Sequence, residues 1–400
     1  MPTGLAGQAT QFAQTMRDAG HEIFYVGLGQ SVTRKVDGIT LLTTGDTKFG
    51  ETILQYWIDK YKPDVLWTLL DVWMTNYIAL GGTQIDGDAY PIKLGNAKWV
   101  GYIPIDSNDL VPPEYEKFIQ AYDFPVLMSQ FALNLMGKRF IDTAFSYIPH
   151  SIDTNIFRPL PESEIKAFKK ANKVEGCFLI GMNGNNQLRK MQPYLLEAYA
   201  KFMKPDTRLV LHMDMKNSRG LWNAEGWNLI KVASLLKIPP NHIIITDAGK
   251  GFSGKFDVTP DKINLFYNAC DVHYNCGNEG FGIPMLESLS AGTPNISPDF
   301  TTAKEMIGNN ERGRLVKLGQ FWYHQHSGYR WCTPDTDDLA AQFQWCYDNR
   351  DKLKEMGTEA RKFALDYDHK NVQPLWTDFI KSVLMSPPLP TNYKTGEVGI

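Results

Sequence analysis

Short apolar runs alternate with amphipathic stretches along almost the whole chain. In the first 150 residues the runs His21–Gly27, Asp64–Leu70, Trp99–Ile105, Phe124–Met128 and Phe145–Pro149 read as strands. Ala6–Ala19 reads as a helix stopped by Gly20, Ile53–Tyr61 as a second, and Ser129–Lys138 as a third with Ser129 as its N-cap. The alternation restarts after residue 160. Cys177–Gly181, Arg208–Met213, His242–Thr246, Ala269–Asn275 and Gly313–Lys317 are the strands there, with helices between them and three more at the end. The last helix runs from about Val372 to Leu384. Repeating strand–helix units predict mostly parallel sheets with helices on both faces. One feature is irregular. A doubly wound sheet normally opens on a strand, whereas this chain opens on a helix. The expectation is that a first strand is missing and that about ten residues have been lost ahead of Met1.

Composition narrows the class without changing it. The 400 residues suffice for two domains, and 43% apolar and 21% charged content are ordinary for a globular protein. A net charge of −3 supplies no general basic field, which counts against a polyanionic partner without excluding one. Cys177, Cys270, Cys276, Cys332 and Cys346 form no CxxC pair, so an odd, scattered set points to a reducing compartment. No apolar run approaches the ~20 residues of a membrane span, and no basic-then-apolar leader opens the sequence. Ser386–Ile400 reads as a loose tail.

Candidate chemistry concentrates between Asn275 and Pro294. Ala269–Asn275 supplies a buried strand, Gly280 and Gly282 permit a tight turn, and Pro284 suits a first helical turn. Gly292 and Pro294 close that helix. Its N-terminus offers free N–H groups and a positive dipole end to a phosphate. Glu279 precedes the pocket and Glu287 lies in the helix, where carboxylates suit sugar hydroxyls better than phosphate. On local chemistry alone, Glu287 is equally an acid favoured by the helix dipole, and Glu279 a solvated loop residue.

The whole stretch closely resembles the signature of retaining nucleotide-sugar glycosyltransferases of family 4, in which two glutamates are separated by seven residues. Glu279 and Glu287 have that spacing, and Gly280-Phe281-Gly282 and Ala291-Gly292-Thr293-Pro294 match directly. Ser288 replaces the usual Ala. Ile148–Pro159 is similar to the interdomain segment of the same family, with His150 in place and Ser151 where Gly is usual. Arg189 and Lys190 match its diphosphate-binding basic pair. Pro2–Gln8, with Gly4 and Gly7, resembles the glycine loop that follows the family's first strand.

The resemblance implies the GT-B fold: two Rossmann-like doubly wound parallel-sheet domains with the active site in the cleft between them. The implied boundaries are 1–160 for the acceptor-side domain, 161–368 for the donor domain, 369–386 for a helix crossing back, and 387–400 for the tail. It implies a retaining sugar transfer from a nucleotide-sugar, without cofactor or metal. Glu279 would face the transferred sugar, Glu287 the donor ribose, and Arg189, Lys190, Gly280, Phe281 and Gly282 the diphosphate. Where the family often places a His after a first-domain strand, this chain has Pro104-Ile105-Asp106, and Asp106 is taken as a site residue. Glu305 is a further acidic match on a helix. The implied acceptor is a glycan, lipid, protein or modified DNA base, and a local patch of Lys166, Lys169, Lys170 and Lys173 leaves the DNA alternative open. A non-catalytic sugar-nucleotide or glycan binder is the rival class. Location is expected in the cytoplasm, or in host cytoplasm if the protein is virus-encoded, and oligomeric state is open.

Three DxD pairs, Asp86/Asp88, Asp335/Asp337 and Asp366/Asp368, follow no suitable strand and read as turn or cap chemistry. His324 and His326 lack a third ligand. The aromatic segment Phe321–Trp331 fits a packed hairpin better than an acceptor or oligomer loop.

Overall fold

The computed structural model describes residues 4–27, 30–47, 49–79, 83–85, 88–90, 92–108, 114–213, 226–245, 259–324 and 328–387. The first unit runs α1 (Gly4–Asp18), β1 (Phe24–Val26), β2 (Arg34–Val36), β3 (Ile39–Leu42), α2 (Leu54–Tyr61), β4 (Val65–Leu69), α3 (Asn76–Ala79), β5 (Thr83–Ile85), β6 (Asp88–Tyr90), β7 (Lys98–Ile103), α4 (Glu114–Gln120), β8 (Phe124–Leu127), α5 (Gln130–Arg139) and β9 (Ser146–Tyr147). β4, β7, β8 and β9 form a four-stranded parallel sheet in that order.

The parallel strands of this unit fall into two sheets. β1 and β3 pair in parallel and β2 antiparallel to β3 in a separate three-stranded sheet. Among the described residues β1 pairs only with β3, and β4 only with β7. No described strand joins those two edges. Accordingly β1 is only half-buried and β4 largely so, whereas β7 beside it is buried. β2 and β3 were not expected from the sequence. They form a hairpin through Asp37 (φ 47°) and Gly38 (φ 80°), a two-residue turn with both φ positive.

The second unit runs α6 (Glu162–Ala171), β10 (Phe178–Asn183), α7 (Gln192–Phe202), β11 (Thr207–His212), α8 (Leu229–Leu235), β12 (Ile243–Ile245), α9 (Pro260–Ala269), β13 (Val272–Tyr274), α10 (Ile283–Ser290), β14 (Asn295–Pro298), α11 (Ala303–Ile307), β15 (Gly313–Val316), β16 (Leu318–Tyr323), β17 (Arg330–Pro334), α12 (Thr336–Asp348) and α13 (Arg350–Ala364), followed by α14 (His369–Met385). Six strands form one parallel sheet in the order β12-β11-β10-β13-β14-β15. Strand order reverses between β10 and β13, which opens a crevice at their carboxyl ends.

The units share a core. Val100, Tyr102 and Val126 of the first pack in one cluster with Phe281, Met285 and Leu286 of the second and with Val372, Trp376 and Ile380 of α14. α14 lies on the first unit: its Trp376 ring is 4.8 Å from Tyr102 and 5.0 Å from Phe12. Lys98 Nζ caps its end, donating to Val383 O at 2.7 Å and Ser386 O at 2.6 Å. The β16–β17 hairpin also crosses over. Tyr329 and Trp331 are buried with Trp99, Tyr115 and Phe118, and Ser107 Oγ donates to Arg330 O at 2.9 Å. Phe321 and Tyr323 on the same hairpin are exposed. Among the described residues no helix is long and apolar enough to cross a membrane.

Candidate active site

The loops after β10 and β13 meet at the strand-order reversal. Arg189 and Lys190 sit on a 3₁₀ turn, Leu188–Lys190, which ends at Met191 in a left-handed conformation (φ 52°). Arg189 Nη1 donates to Asn278 O at 2.5 Å and to Glu279 Oε2 at 3.1 Å, and Lys190 Nζ donates to Glu279 Oε1. Both Lys190 and Glu279 are buried. Burial first and Arg189 next push the Lys190 ammonium down to about 7, with Cys276 and Asp106 opposing the shift. Asn278, which the sequence did not single out, fastens this corner. Its amide donates to Arg189 O and Cys332 O, each at 2.9 Å, and accepts from Cys332 N at 3.1 Å.

The turn after Glu279 needs its glycines for two different reasons. A Cβ on Gly280 would lie 2.9 Å from Pro104 Cβ and 3.3 Å from Ile105 N, because this turn presses directly on the first unit. Gly282 has φ 90° at the start of α10. The N–H groups of Gly280, Phe281, Gly282 and Ile283 have no acceptor among the described residues. They lie in the turn that directly follows Glu279, the carboxylate that holds Arg189 and Lys190. The Phe281 ring is buried between the units, 5.0 Å from His150. Glu287 lies one turn into α10 and accepts from Tyr267 OH at 2.7 Å; Asn183 Nδ2 donates to Tyr267 OH in turn at 2.9 Å. Burial raises the Glu287 carboxyl to about 7.

On the first unit, Asp106 follows β7 directly after the Pro104–Ile105 contact with Gly280. Its Oδ1 is sealed from solvent without a hydrogen bond of ordinary geometry among the described residues, while the Trp331 side chain and the Asp106 backbone N–H act on the carboxylate as donors. Burial raises its carboxyl to about 6, with Arg189 opposing the shift and Asp71 reinforcing it. His150 is buried, with Nδ1 2.8 Å from Tyr102 OH, and burial lowers it to about 3, so the ring is neutral. It positions the two units rather than carrying charge.

Gly4 and Gly7 do not form a loop. Both lie in the first turns of α1, because the chain is helical from Gly4 onward. A Cβ on Gly4 would meet Ile283 Cδ1 at 3.2 Å, and one on Gly7 would meet nothing. Gly4 therefore packs near the α10 start, and Gly7 does not touch it. Glu305 reaches the first unit, with Oε2 accepting from Phe131 N at 3.1 Å at the start of α5. Asp335 caps α12 and Asp368 caps α14. Lys166 pairs with Glu162 at 2.9 Å, and Lys169 lies 4.0 Å from Asp271. Asp86, His326 and the Asp247–Phe256 loop expected near the nucleotide base lie outside the described residues.

Residues 251–363 match the family model described as glycosyl transferases group 1. EpsD of Bacillus subtilis (strain 168), a protein named as a glycosyltransferase, is 26% identical over 156 residues, or 35% of this chain. That match spans 37% of the relative's length. Solved structures align far more completely. A glycosyltransferase from Rickettsia africae ESF-5 has a TM-score of 0.67 at 16% identity, covering 96% of each chain. A sucrose-phosphate synthase from Thermosynechococcus elongatus gives 0.72 at 12%, covering 94% of this chain and 92% of its own. Anabaena HepE in complex with UDP-glucose gives 0.67 at 15%, covering 96% and 97%. The fold is GT-B. Its two Rossmann-like units are the two parallel-sheet bodies described above, and the crevice between β10 and β13 faces the cleft between them.

Proposed function

We propose that this GT-B chain is a retaining glycosyltransferase of the family 4 kind, moving a sugar from a nucleotide-sugar donor to an acceptor hydroxyl in the interdomain cleft. The observation that carries the reading is the meeting of a basic pair, four free backbone N–H groups and Glu279 at one corner of the β10–β13 crevice. A diphosphate needs that density of positive charge and donors. Arriving there, it would take over Arg189 and Lys190 and leave Glu279 free to accept hydrogen bonds from the transferred sugar. Glu287, with Tyr267 behind it, is the acceptor for the ribose hydroxyls.

In the reaction the bond between the anomeric carbon and the diphosphate oxygen breaks as the acceptor oxygen bonds to that carbon on the same face. The acceptor's proton passes to the leaving phosphate oxygen. Arg189, Lys190 and the start of α10 stabilise the charge that develops on the diphosphate, so the reading includes no metal and no cofactor. Its test is the release of nucleoside diphosphate from UDP-, GDP-, ADP- and TDP-glucose, with water as the acceptor, in the presence and absence of EDTA. Release from one nucleotide class, unchanged by EDTA and lost in Arg189→Ala, is expected. Release that requires an added divalent metal contradicts the metal-free account. Release that persists in Arg189→Ala contradicts the assigned diphosphate site.

A further inference from the structure

Behind Glu287 a chain of hydrogen bonds runs into the sheet. Tyr267 OH, which donates to Glu287 Oε2 at 2.7 Å, accepts from Asn183 Nδ2 at 2.9 Å. Asn183 Oδ1 lies 2.8 Å from His273 Nε2, and His273 Nδ1 lies 3.0 Å from Asn295 Oδ1. Asn183 ends β10, His273 is in β13 and Asn295 opens β14, so three adjacent strands hold these side chains in line. His273, Asn295 and Tyr267 are buried.

The end at Asn295 is fixed. Its Nδ2 donates to Met285 O at 3.2 Å, and Ser288 Oγ beside it gives its proton to Thr293 O. Turning this amide over would set Oδ1 against the Met285 carbonyl, so Oδ1 stays on the ring and His273 Nδ1 carries a proton. The state of Nε2 then sets the direction of the remaining links. With Glu287 ionised, Tyr267 donates to it, Asn183 donates to Tyr267, and Asn183 Oδ1 requires a proton on Nε2, which makes the ring an imidazolium. With a neutral ring, Nε2 accepts, Asn183 turns over to donate to it, Tyr267 donates to Asn183, and Glu287 must carry a proton to donate to Tyr267. Both arrangements satisfy every link and hold the same number of protons. A neutral ring beside an ionised Glu287 would leave two acceptors face to face in a dry place. A charged ring beside a protonated Glu287 would bury an unbalanced cation.

Burial lowers the ring to about 4, with Asn295 opposing and Lys190 adding to the shift. The Phe266 and Tyr267 rings of α9 cover its remaining sides without charge. Besides burial, only Tyr267 acts on Glu287 among the described residues. A diphosphate taken up by Lys190 would offset the one cation that opposes an imidazolium, and ribose hydroxyls donate best to an ionised carboxylate.

We propose that His273 is a positioning residue for the donor: through Asn183 and Tyr267 it shares one proton with Glu287, and donor binding places that proton on the ring. The proposal rests on the donor reading above. It is tested by calorimetric titration of the full chain with UDP-glucose, or the nucleotide-glucose of whichever base binds, at pH 6 and pH 8. In the wild type, binding moves the shared proton without taking one from solvent. In His273→Gln, Glu287 titrates alone near 7, is protonated as pH falls, and stops accepting from the ribose. The ratio of wild-type to variant affinity is therefore expected to rise about tenfold from pH 8 to pH 6. Lys190 and Asp106 also titrate near this range, but both proteins contain them and the ratio cancels their effect. Asn183→Ala cuts the chain at a different link and is expected to give the same signature, and thermal unfolding checks that each variant is folded. A ratio independent of pH in both variants, whatever its size, reduces His273 to a structural partner and overturns the shared proton while Glu287 keeps its place. If the wild type binds no nucleotide-glucose at either pH, the donor reading falls and this proposal falls with it.

Discussion

At the scale of single residues the most informative side chain is Glu279, because it holds both members of the basic pair. Its carboxylate stands where a donor phosphate would compete for the same donors. Glu279→Gln removes that competitor and leaves the buried Lys190 without an anion. Breaking a buried ion pair on one side costs about 3 kcal/mol, so the ligand-free variant should unfold at a lower temperature. UDP, or the diphosphate of the correct base, should then bind on the order of tenfold more tightly than to the wild type, while turnover falls. Thermal unfolding with and without the diphosphate checks both halves; a variant that loses stability but gains no affinity would show that Glu279 is merely a structural partner of Lys190. Arg189, Lys190, Glu279 and the two glycines were legible because charge and backbone freedom are written in residue type and spacing. Asn278 was not. An Asn in a Gly-rich stretch reads as turn chemistry, and only the tertiary fold shows its amide fastening the Arg189 and Cys332 backbones.

At the scale of elements, the β13–α10 connection decides how closely the two units meet. The Gly280 contact is made against backbone and a rigid proline ring, so a new Cβ cannot be absorbed by a rotamer change. Gly280→Ala should push the Pro104–Asp106 segment away from Arg189 while the second unit still binds the nucleoside diphosphate. Misplacement of this size reduces the release rate on the order of 100-fold. Calorimetry alongside the release assay checks it: loss of diphosphate binding in parallel with rate would mean that the turn, not the approach of the units, is what Gly280 preserves. Five of the six strands in the second unit's parallel sheet were readable as short apolar runs, whereas β14, buried but reading Asn-Ile-Ser-Pro, was not. The β2–β3 hairpin was missed, although Asp37-Gly38 is a local hairpin signal, because Arg34-Lys35-Val36 is fully exposed and lacks an apolar run. The split of the first unit's strands into two sheets was beyond local pattern, since pairing partners lie far apart in sequence.

At the scale of the whole molecule, three separate contacts close the cleft around the basic pair. His150 packs against Phe281, Glu305 reaches the start of α5, and the β16–β17 hairpin buries Tyr329 and Trp331 in the first unit. α14 ties the end of the second unit back to the first. These contacts make the site a property of both units together, which the repeated strand–helix pattern alone does not contain. The central claim is that this cleft is a nucleotide-sugar site, and a ligand that binds only the folded state must stabilise it. The most direct test is thermal unfolding of the full chain against UDP-, GDP-, ADP- and TDP-sugars, with Glu287→Ala measured in parallel. The account predicts a rise in Tm with one nucleotide class that is lost in Glu287→Ala. A folded protein whose Tm moves with none of the four, or equally in the variant, would contradict it.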